Sequence, residues 1–293
     1  MKALLGAVLL ACVHLNGAVW AGEYPFAEDG TKTQDKESSL GPVSENPTAG
    51  GPLPVIGPND RIGWSSDGNT VDPDDWSATA LALAVFAKME WQDRLAHWDF
   101  NNRLDVSHAW KEKENEESTL GGARKFMFDG SKFFDDQNRL QAAIDHAAAE
   151  INRSSADSKF WYVQAGPFEV AYRAILKADP AKRKYCILVS HSAVNEVSGK
   201  WVVVEKDNAK RPSAGKDECV ALGAEYFYTG GQGGTDRFGA KELRDWSVVA
   251  WMGNSPCPEY RWVHSRFLKT AEHKSRCLDA SDGGMAFYLA TGD

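Results

Sequence analysis

Four aspartates lie within a stretch of nine residues near the start of the apolar part of this chain. They are Asp67, Asp72, Asp74 and Asp75, between an extended apolar segment and a run rich in alanine and leucine. Clustered carboxylates repel one another unless a positive group lies among them, and a hard divalent cation with oxygen ligands is the usual partner. The pattern therefore predicts a metal-centred active site in a strand-to-helix loop, at the carboxyl end of a strand, where open α/β sheets bind ligands.

Regular elements must hold this loop in place, and strands and helices alternate around it. Apolar runs predict strands at 61–66, 95–100, 159–165 and 185–190, and helical periodicity predicts helices at 76–90, 114–127, 138–154 and 168–178. Further candidate strands are 201–204, which alternatively belongs to an insertion, and 226–229, and three last helices are predicted at 246–251, 260–273 and 281–291. The repeated order predicts an α/β fold with a mostly parallel central sheet and helices on both faces.

The first 57 residues differ in character from the rest. Residues 1–21 predict a signal peptide, because Lys2 precedes an apolar segment that is too short to span a bilayer. A lipoprotein-type signal at Cys12 is the alternative, and both predict a secreted or periplasmic protein. Residues 22–57 are rich in glycine, proline, serine and threonine, which predicts a flexible leader, and 58–293 form the predicted folded domain. No later segment is apolar enough for a transmembrane helix.

Composition narrows the class of partner. The net charge is −8, and the lysines and arginines are scattered, which argues against a nucleic-acid partner. Eleven tryptophans and thirteen phenylalanines are a high aromatic load that in an exported protein is compatible with sugar contacts, although most of these rings are expected in the core. Four cysteines follow the signal peptide at spacings unlike a zinc site, and Cys257 and Cys277 are candidates for a disulfide.

Three segments resemble the nucleoside hydrolase superfamily, and in particular its divergent secreted nucleoside-hydrolase-like branch. The Asp74–Asp75 pair and its Ala-Leu-Ala-Leu helix are similar to the family pattern Asp-x-Asp-Pro-Gly-x-Asp-Asp. The Ala-Gly-Pro turn at 165–167 and the Asp-Ala-Ser-Asp segment at 279–282 match later family elements in order and spacing. The likeness covers about residues 60–293. Members of the superfamily use bound Ca²⁺ to hydrolyse the N-glycosidic bond of ribonucleosides, so the resemblance implies this fold and this chemistry.

The resemblance also implies a ligand set for Ca²⁺. Its members would be Asp67, Asp75, the backbone carbonyl of Ala165 and Asp282, with Asp72 as the alternative to Asp67 because the loop is slightly longer than in the family. Asp74 would face the sugar hydroxyls. Asp67 would also accept a proton from the attacking water, whose pKa the cation lowers.

Substrate contacts are expected after two other strands. Asn101 or Asn102 matches an asparagine that reaches the sugar, and Asn195 and Glu196 correspond loosely to residues that hold the ribose. Many family enzymes place a histidine directly before the late aspartate to protonate the leaving base, whereas this chain has Ser281 there. His191 is then the candidate acid.

Two hypotheses follow for the function. The first is a Ca²⁺-dependent hydrolase of an N-glycosidic or related furanosyl bond. The second is a non-enzymatic, Ca²⁺-dependent sugar- or polysaccharide-binding protein on the same fold, which the missing histidine and the many tryptophans favour. Both predict a small-molecule nucleoside or sugar as the partner, and the resemblance adds a homo-oligomer as a possible assembly.

Overall fold

The computed structural model describes residues 54–70, 72–204, 209–229, 244–274 and 278–292. The predicted signal peptide and nearly all of the predicted leader lie outside these residues. Cys277 also lies outside them, so its pairing with Cys257 stays a prediction.

Six parallel strands form the central sheet, and two short strands form a separate antiparallel pair. The strands are β1 (Arg61–Ser66), β2 (Leu95–Phe100), β3 (Phe133–Asp135), β4 (Phe160–Ala165), β5 (Cys186–Ser190), β6 (Val202–Val204), β7 (Lys210–Pro212) and β8 (Glu225–Tyr228). The order in the large sheet is β3-β2-β1-β4-β5-β8, with every neighbouring pair parallel. The predicted α/β fold is confirmed. The candidate strand at 201–204 belongs to the small pair with β7, outside the main sheet.

Helices follow most of the strands. They are α1 (Asp74–Lys88), α2 (Ala109–Glu116), α3 (Gly122–Lys125), α4 (Asp136–Asn152), α5 (Glu169–Lys177), α6 (Ala193–Glu196), α7 (Lys216–Ala221), α8 (Trp246–Gly253), α9 (Pro258–His273) and α10 (Gly283–Thr291). The single helix predicted at 114–127 was wrong in form, because a π-helical turn at Glu117–Gly121 separates α2 from α3. Within the described ranges, none of the helices has the length and apolar character needed to cross a membrane.

Aromatic side chains show that both faces of the sheet are covered. On one face, Trp64 of β1 stacks on Trp98 with ring centroids 5.1 Å apart and meets Phe86 of α1 edge-on at 5.9 Å. On the other face, Phe160 and Tyr162 of β4 pack with buried residues of α4 and α5. Alternate residues of a strand point to opposite faces, so the near-continuous apolar strands reflect burial on both sides.

The strand order creates a switch point between β1 and β4. From β1 the sheet extends through β2 to β3, whereas from β4 it extends through β5 to β8. Ser66 and Ala165, the last residues of β1 and β4, lie opposite each other in register. Ligands of open α/β sheets bind outside the carboxyl ends of the strands at such a point. The topology therefore places the acidic loop after β1 beside the turn after β4.

Candidate metal centre

Aspartates from opposite ends of the domain converge at the switch point. Asp74 and Asp75 are the first residues of α1, and Asp282 directly precedes α10. One carboxylate oxygen of each lies within 4.8 Å of the others. Asp67, the residue after β1, contacts the carboxyl group of Asp75. Asp74, Asp75 and Asp282 thus form one compact group, and Asp67 lies beside it through its contact with Asp75.

Asp74, Asp75 and Asp282 are buried, and Asp67 is half-buried. Asp75 is 1% exposed, and neither of its carboxyl oxygens accepts a hydrogen bond from an N–H or hydroxyl group of the described residues, so its contact with Asp67 joins two carboxyl groups. Burial raises the pKa of Asp67 to about 6, and burial together with neighbouring carboxylates raises the pKa of Asp74 and Asp75 well above the usual range. Buried oxygen atoms without partners and an all-oxygen donor set fit a hard divalent cation.

A lysine that the sequence analysis missed neutralises the outer part of the cluster. Lys274, directly after α9, places Nζ 2.7 Å from Asp72 Oδ1, 2.7 Å from Asp279 Oδ2 and 3.9 Å from Asp74 Oδ2. Burial opposes its positive charge, but the carboxylates outweigh burial and raise the pKa of Lys274. Burial likewise favours the neutral form of Asp279, yet Lys274 and Arg244 more than offset it, so the pKa of Asp279 is lowered. The outer acids therefore have a cation of their own.

This lysine separates the two candidates for the upstream ligand. The carboxylate of Asp72 is half exposed and accepts two hydrogen bonds from Lys274, at 2.7 and 2.8 Å. Asp67 contacts Asp75 instead. Of the two alternatives, Asp67 is therefore the one in contact with the central acids.

The turn after β4 leaves no room for a side chain. A Cβ atom added to Gly166 would lie 2.5 Å from Asn102 Oδ1 and 2.9 Å from Asp67 Cβ. Contacts that short do not occur for real Cβ atoms, so the glycine permits the approach of these two side chains. Ala165, whose carbonyl is a predicted ligand, is the last residue of β4 and lies at the same edge of the sheet as Asp67.

The two asparagines after β2 have different environments. Asn101 has a left-handed backbone (φ 61°), donates to Asp135 Oδ1 at 3.1 Å and accepts from Asn115 Nδ2 at 3.0 Å. Both the nitrogen and the oxygen of its carboxamide are therefore used in hydrogen bonds within the protein. Asn102 is 1% exposed, and its Oδ1 has no hydrogen-bond partner among the described residues. Of the two predicted residues, Asn102 is the one beside the acids.

A histidine contacts the late aspartate. The Nε2 of His191, which follows β5, is hydrogen-bonded to Asp282 Oδ1, and both side chains are buried. Ser281, the residue directly before Asp282, donates its hydroxyl to Asp279 Oδ1 at 2.8 Å. His191 therefore reaches the centre from another strand, in a position suited to orient Asp282.

None of the described contacts of Glu196 is with the four central aspartates. Its carboxylate accepts from the hydroxyl of Tyr226 and lies 3.8 Å from Lys216 Nζ. These contacts tie α6 to β8 and α7. Asn195, also in α6, is half-buried, and its backbone N–H donates to Ser192 O at 3.1 Å. Neither of the two predicted ribose-holding residues has a described contact with the four central aspartates.

Comparison with known proteins gives one relative of undefined activity. No family model matches the sequence. Over 155 residues the chain is 30% identical to a Formosa agariphila protein named "Uncharacterized protein P22", and the match covers 50% of this chain and 57% of the relative. The chain thus spans little more than half the length of that relative. The likeness identifies a related sequence without assigning an activity.

Proposed function

We propose that this protein is a Ca²⁺-dependent hydrolase of an N-glycosidic or related furanosyl bond, with a fold of the nucleoside-hydrolase type. One observation carries the proposal: buried Asp74 and Asp75 at the start of α1 meet Asp282, directly before α10, at the topological switch point, and no described N–H or hydroxyl group donates to the oxygens of Asp75. The sequence resemblance names the same acids. The predicted signal peptide adds that the protein acts after export.

The residues that would hold the cation are Asp67, Asp74, Asp75 and Asp282, with the Ala165 carbonyl and Asn102 Oδ1 at the same sheet edge. All are oxygen donors, and Ca²⁺ takes six to eight oxygens. When bound, Ca²⁺ would supply the positive charge that makes a nearby water more acidic and attracts two adjacent hydroxyl groups.

The chain's own groups divide the remaining work. Asp67, with a pKa of about 6 in the absence of a cation, can accept a proton from the attacking water near neutral pH. Glycosidic bonds break through an oxocarbenium-like transition state, whose positive charge the surrounding carboxylates favour. His191 holds Asp282 by a hydrogen bond and thereby orients it, as residues behind a ligand commonly do.

Calcium titration combined with a hydrolysis assay tests the proposal. Metal-free protein should bind one Ca²⁺ in calorimetry and should release reducing sugar from a member of a panel of nucleosides and furanosides. Asp75→Asn should abolish both, because it removes one charge at the centre without changing shape. Asp72→Asn is the matched control and should retain both, since Asp72 is paired with Lys274. Turnover that survives in Asp75→Asn, or a wild-type protein that binds no Ca²⁺, would overturn the proposal.

A second candidate is a Ca²⁺-dependent sugar-binding protein without catalytic activity. It is favoured by Ser281, whose hydroxyl is engaged by Asp279 at the position where the family enzymes carry a leaving-group acid. Calorimetry with sugars and nucleosides in the presence of Ca²⁺ separates the candidates. Saturable binding that depends on Asp75, with no product from any compound of the panel, would support the binding protein over the hydrolase.

A further inference from the structure

A buried hydrogen-bond network lies behind the carboxyl ends of β1, β2 and β4. Asp99 is its centre. One of its oxygens accepts from the hydroxyl of Ser65, and the other accepts from the hydroxyl of Tyr162 and lies 3.1 Å from His97 Nε2. All four side chains are fully buried. None of them belongs to the metal centre described above.

The direction of these hydrogen bonds fixes the neighbouring carboxamide. Asp99 takes the hydroxyl proton of Ser65, so Ser65 Oγ can only accept a further bond. It accepts from Asn102 Nδ2 at 2.7 Å, and the carbonyl of Pro167 accepts from the same nitrogen at 3.3 Å. The nitrogen of the carboxamide is therefore held by Ser65 and Pro167, and Oδ1 occupies the other side of the carboxamide, where it does not meet these two acceptors.

The carboxamide lies close to Asp67. The position that a Cβ atom would take on Gly166 is 2.5 Å from Asn102 Oδ1, 2.8 Å from Asn102 Nδ2 and 2.9 Å from the Cβ of Asp67. The oxygen is buried and has no partner among the described residues. A buried amide oxygen without a partner is costly unless it faces a ligand.

We propose that Asp99 is a positioning residue for the metal centre, which acts through Ser65 to present the oxygen of Asn102, and not its NH₂ group, to the bound cation. The inference rests on the proposed Ca²⁺ site. If Asp99 no longer accepts the proton of Ser65, that hydroxyl can donate to Asn102 Oδ1. This hydrogen bond would stabilise the flipped carboxamide, whose NH₂ group then faces the cation. An NH₂ group there repels the cation instead of binding it.

A double-mutant cycle on Ca²⁺ affinity tests this chain of contacts. Metal-free wild-type, Asp99→Leu, Ser65→Ala and doubly substituted proteins are titrated with Ca²⁺ in a calorimeter. Each single change should weaken Ca²⁺ binding about tenfold, the lower end of the range for residues that orient a ligand. Because both act on Asn102 through one path, Asp99→Leu should cause no further loss in the Ser65→Ala background.

Tyr162→Phe is the matched control. It also removes a donor to Asp99 but leaves the Asp99–Ser65–Asn102 path intact, so its Ca²⁺ affinity should stay within twofold of wild type. If Asp99→Leu does not fold, the contrast between Ser65→Ala and Tyr162→Phe carries the test alone. Equal affinities for these two would overturn the proposal, and so would a further loss from Asp99→Leu in the Ser65→Ala background, which marks a general structural role.

The same titrations separate this inference from the proposed function. A wild-type protein without Ca²⁺ binding contradicts the proposed function itself. Wild-type binding that Asp75→Asn abolishes, together with full affinity in Asp99→Leu and Ser65→Ala, contradicts only the positioning role of Asp99.

Discussion

At the scale of single residues, Lys274 divides the acidic cleft into two parts. The outer part contains Asp72 and Asp279, both within hydrogen-bond distance of Nζ. The inner part contains Asp75 and Asp282, which lie beyond the described contacts of the lysine. The Lys274 ammonium group neutralises the outer acids, and the Ca²⁺ proposed above would neutralise the inner ones. This arrangement explains how so many carboxylates can share a cleft.

Replacement of Lys274 tests this division. Lys274→Met should lower the free energy of unfolding of the metal-free protein by about 2 kcal/mol, since it leaves carboxylates in a largely buried cluster without their cation. The stabilisation that Ca²⁺ adds should then increase, because the cleft becomes more negative. Urea unfolding with and without Ca²⁺ measures both quantities.

Lys269→Met serves as the control for this change. Lys269 lies in α9, five residues before Lys274, but pairs with Glu114 and Glu272 at 3.5 and 3.3 Å. Its response to Ca²⁺ should equal that of wild type. If Lys274→Met and Lys269→Met respond alike, the lysine has no part in the balance of charge.

The sequence allowed the inner acids to be predicted but not this lysine. Asp67 and Asp75 belong to a dense local pattern, and Asp282 lies at the start of a predicted helix, so each has a signal of its own. Lys274 lies some 200 residues from Asp72, in a helix end with no distinctive motif, and only the folded chain brings the two together. Glu196 is the reverse case: its position after a central strand is visible in the sequence but does not determine which way its side chain points, and its described contacts are with Tyr226 and Lys216.

At the scale of elements, the buried parallel strands were the most predictable part of the fold. The boundaries predicted for β1 and β2 are those of the structure, and those for β4 and β5 differ by one residue at the start. Strands buried on both faces have continuous apolar sequences, which are easy to recognise. β3 was not predicted, because it has only three residues and follows a phenylalanine-rich loop.

The turn after β4 makes a prediction at this scale. Gly166→Ala should weaken Ca²⁺ binding at least tenfold and lower the free energy of unfolding by about 1–3 kcal/mol, because the new methyl group meets Asn102, whose carboxamide is held in place. Calorimetric titration and urea unfolding measure the two effects. Gly130→Ala is the control, since a Cβ there meets no atom within 4 Å. Wild-type Ca²⁺ affinity in Gly166→Ala would show that the turn does not shape the site.

The start of α4 provides a prediction about pH. Asp136 is 3% exposed, and burial followed by the charge of Asp99 raises its pKa well above the unfolded value of 3.8. The stabilisation from its neutral form is therefore fully present below about pH 3.8 and is lost as the pH rises through the folded pKa. Asparagine imitates the neutral acid and does not titrate. Asp136→Asn should thus gain stability relative to wild type as the pH rises.

Unfolding free energies measured between pH 5 and 9 test that prediction by difference. Subtraction of the wild-type curve removes the contribution of every other titrating group. Asp157→Asn, which removes one negative charge from an exposed position, controls for net charge. If the unfolding free energies of Asp136→Asn and wild type change with pH in parallel, the pKa of Asp136 is not raised in the folded protein.

At the scale of the whole molecule, the cluster of Asp74, Asp75 and Asp282 joins segments that are far apart in sequence. The loop after β1 and the start of α10 are separated by about 200 residues, and α10 packs against α1, where a Cβ on Gly283 would lie 3.0 Å from Leu81 Cδ2. A cation held by both Asp75 and Asp282 would add a second link between α1 and the start of α10. Binding to the folded state alone stabilises it by RT ln(1 + [L]/Kd), about 2.7 kcal/mol at a hundredfold excess over Kd.

Removal of Ca²⁺ should therefore lower the melting temperature by about 5–10 °C, since 1 kcal/mol corresponds to about 2–4 °C in a domain of this size. Hydrogen exchange should accelerate in the loop after β1 and at the start of α10 together, and much less in β4 and β5, which the sheet protects on both sides. Asp282→Asn should have the same melting temperature with and without Ca²⁺. Asp72→Asn should retain the increase in melting temperature that Ca²⁺ causes in wild type. Exchange that changes at only one of the two segments would mean that the cation does not join them, because a ligand shared by both must protect both.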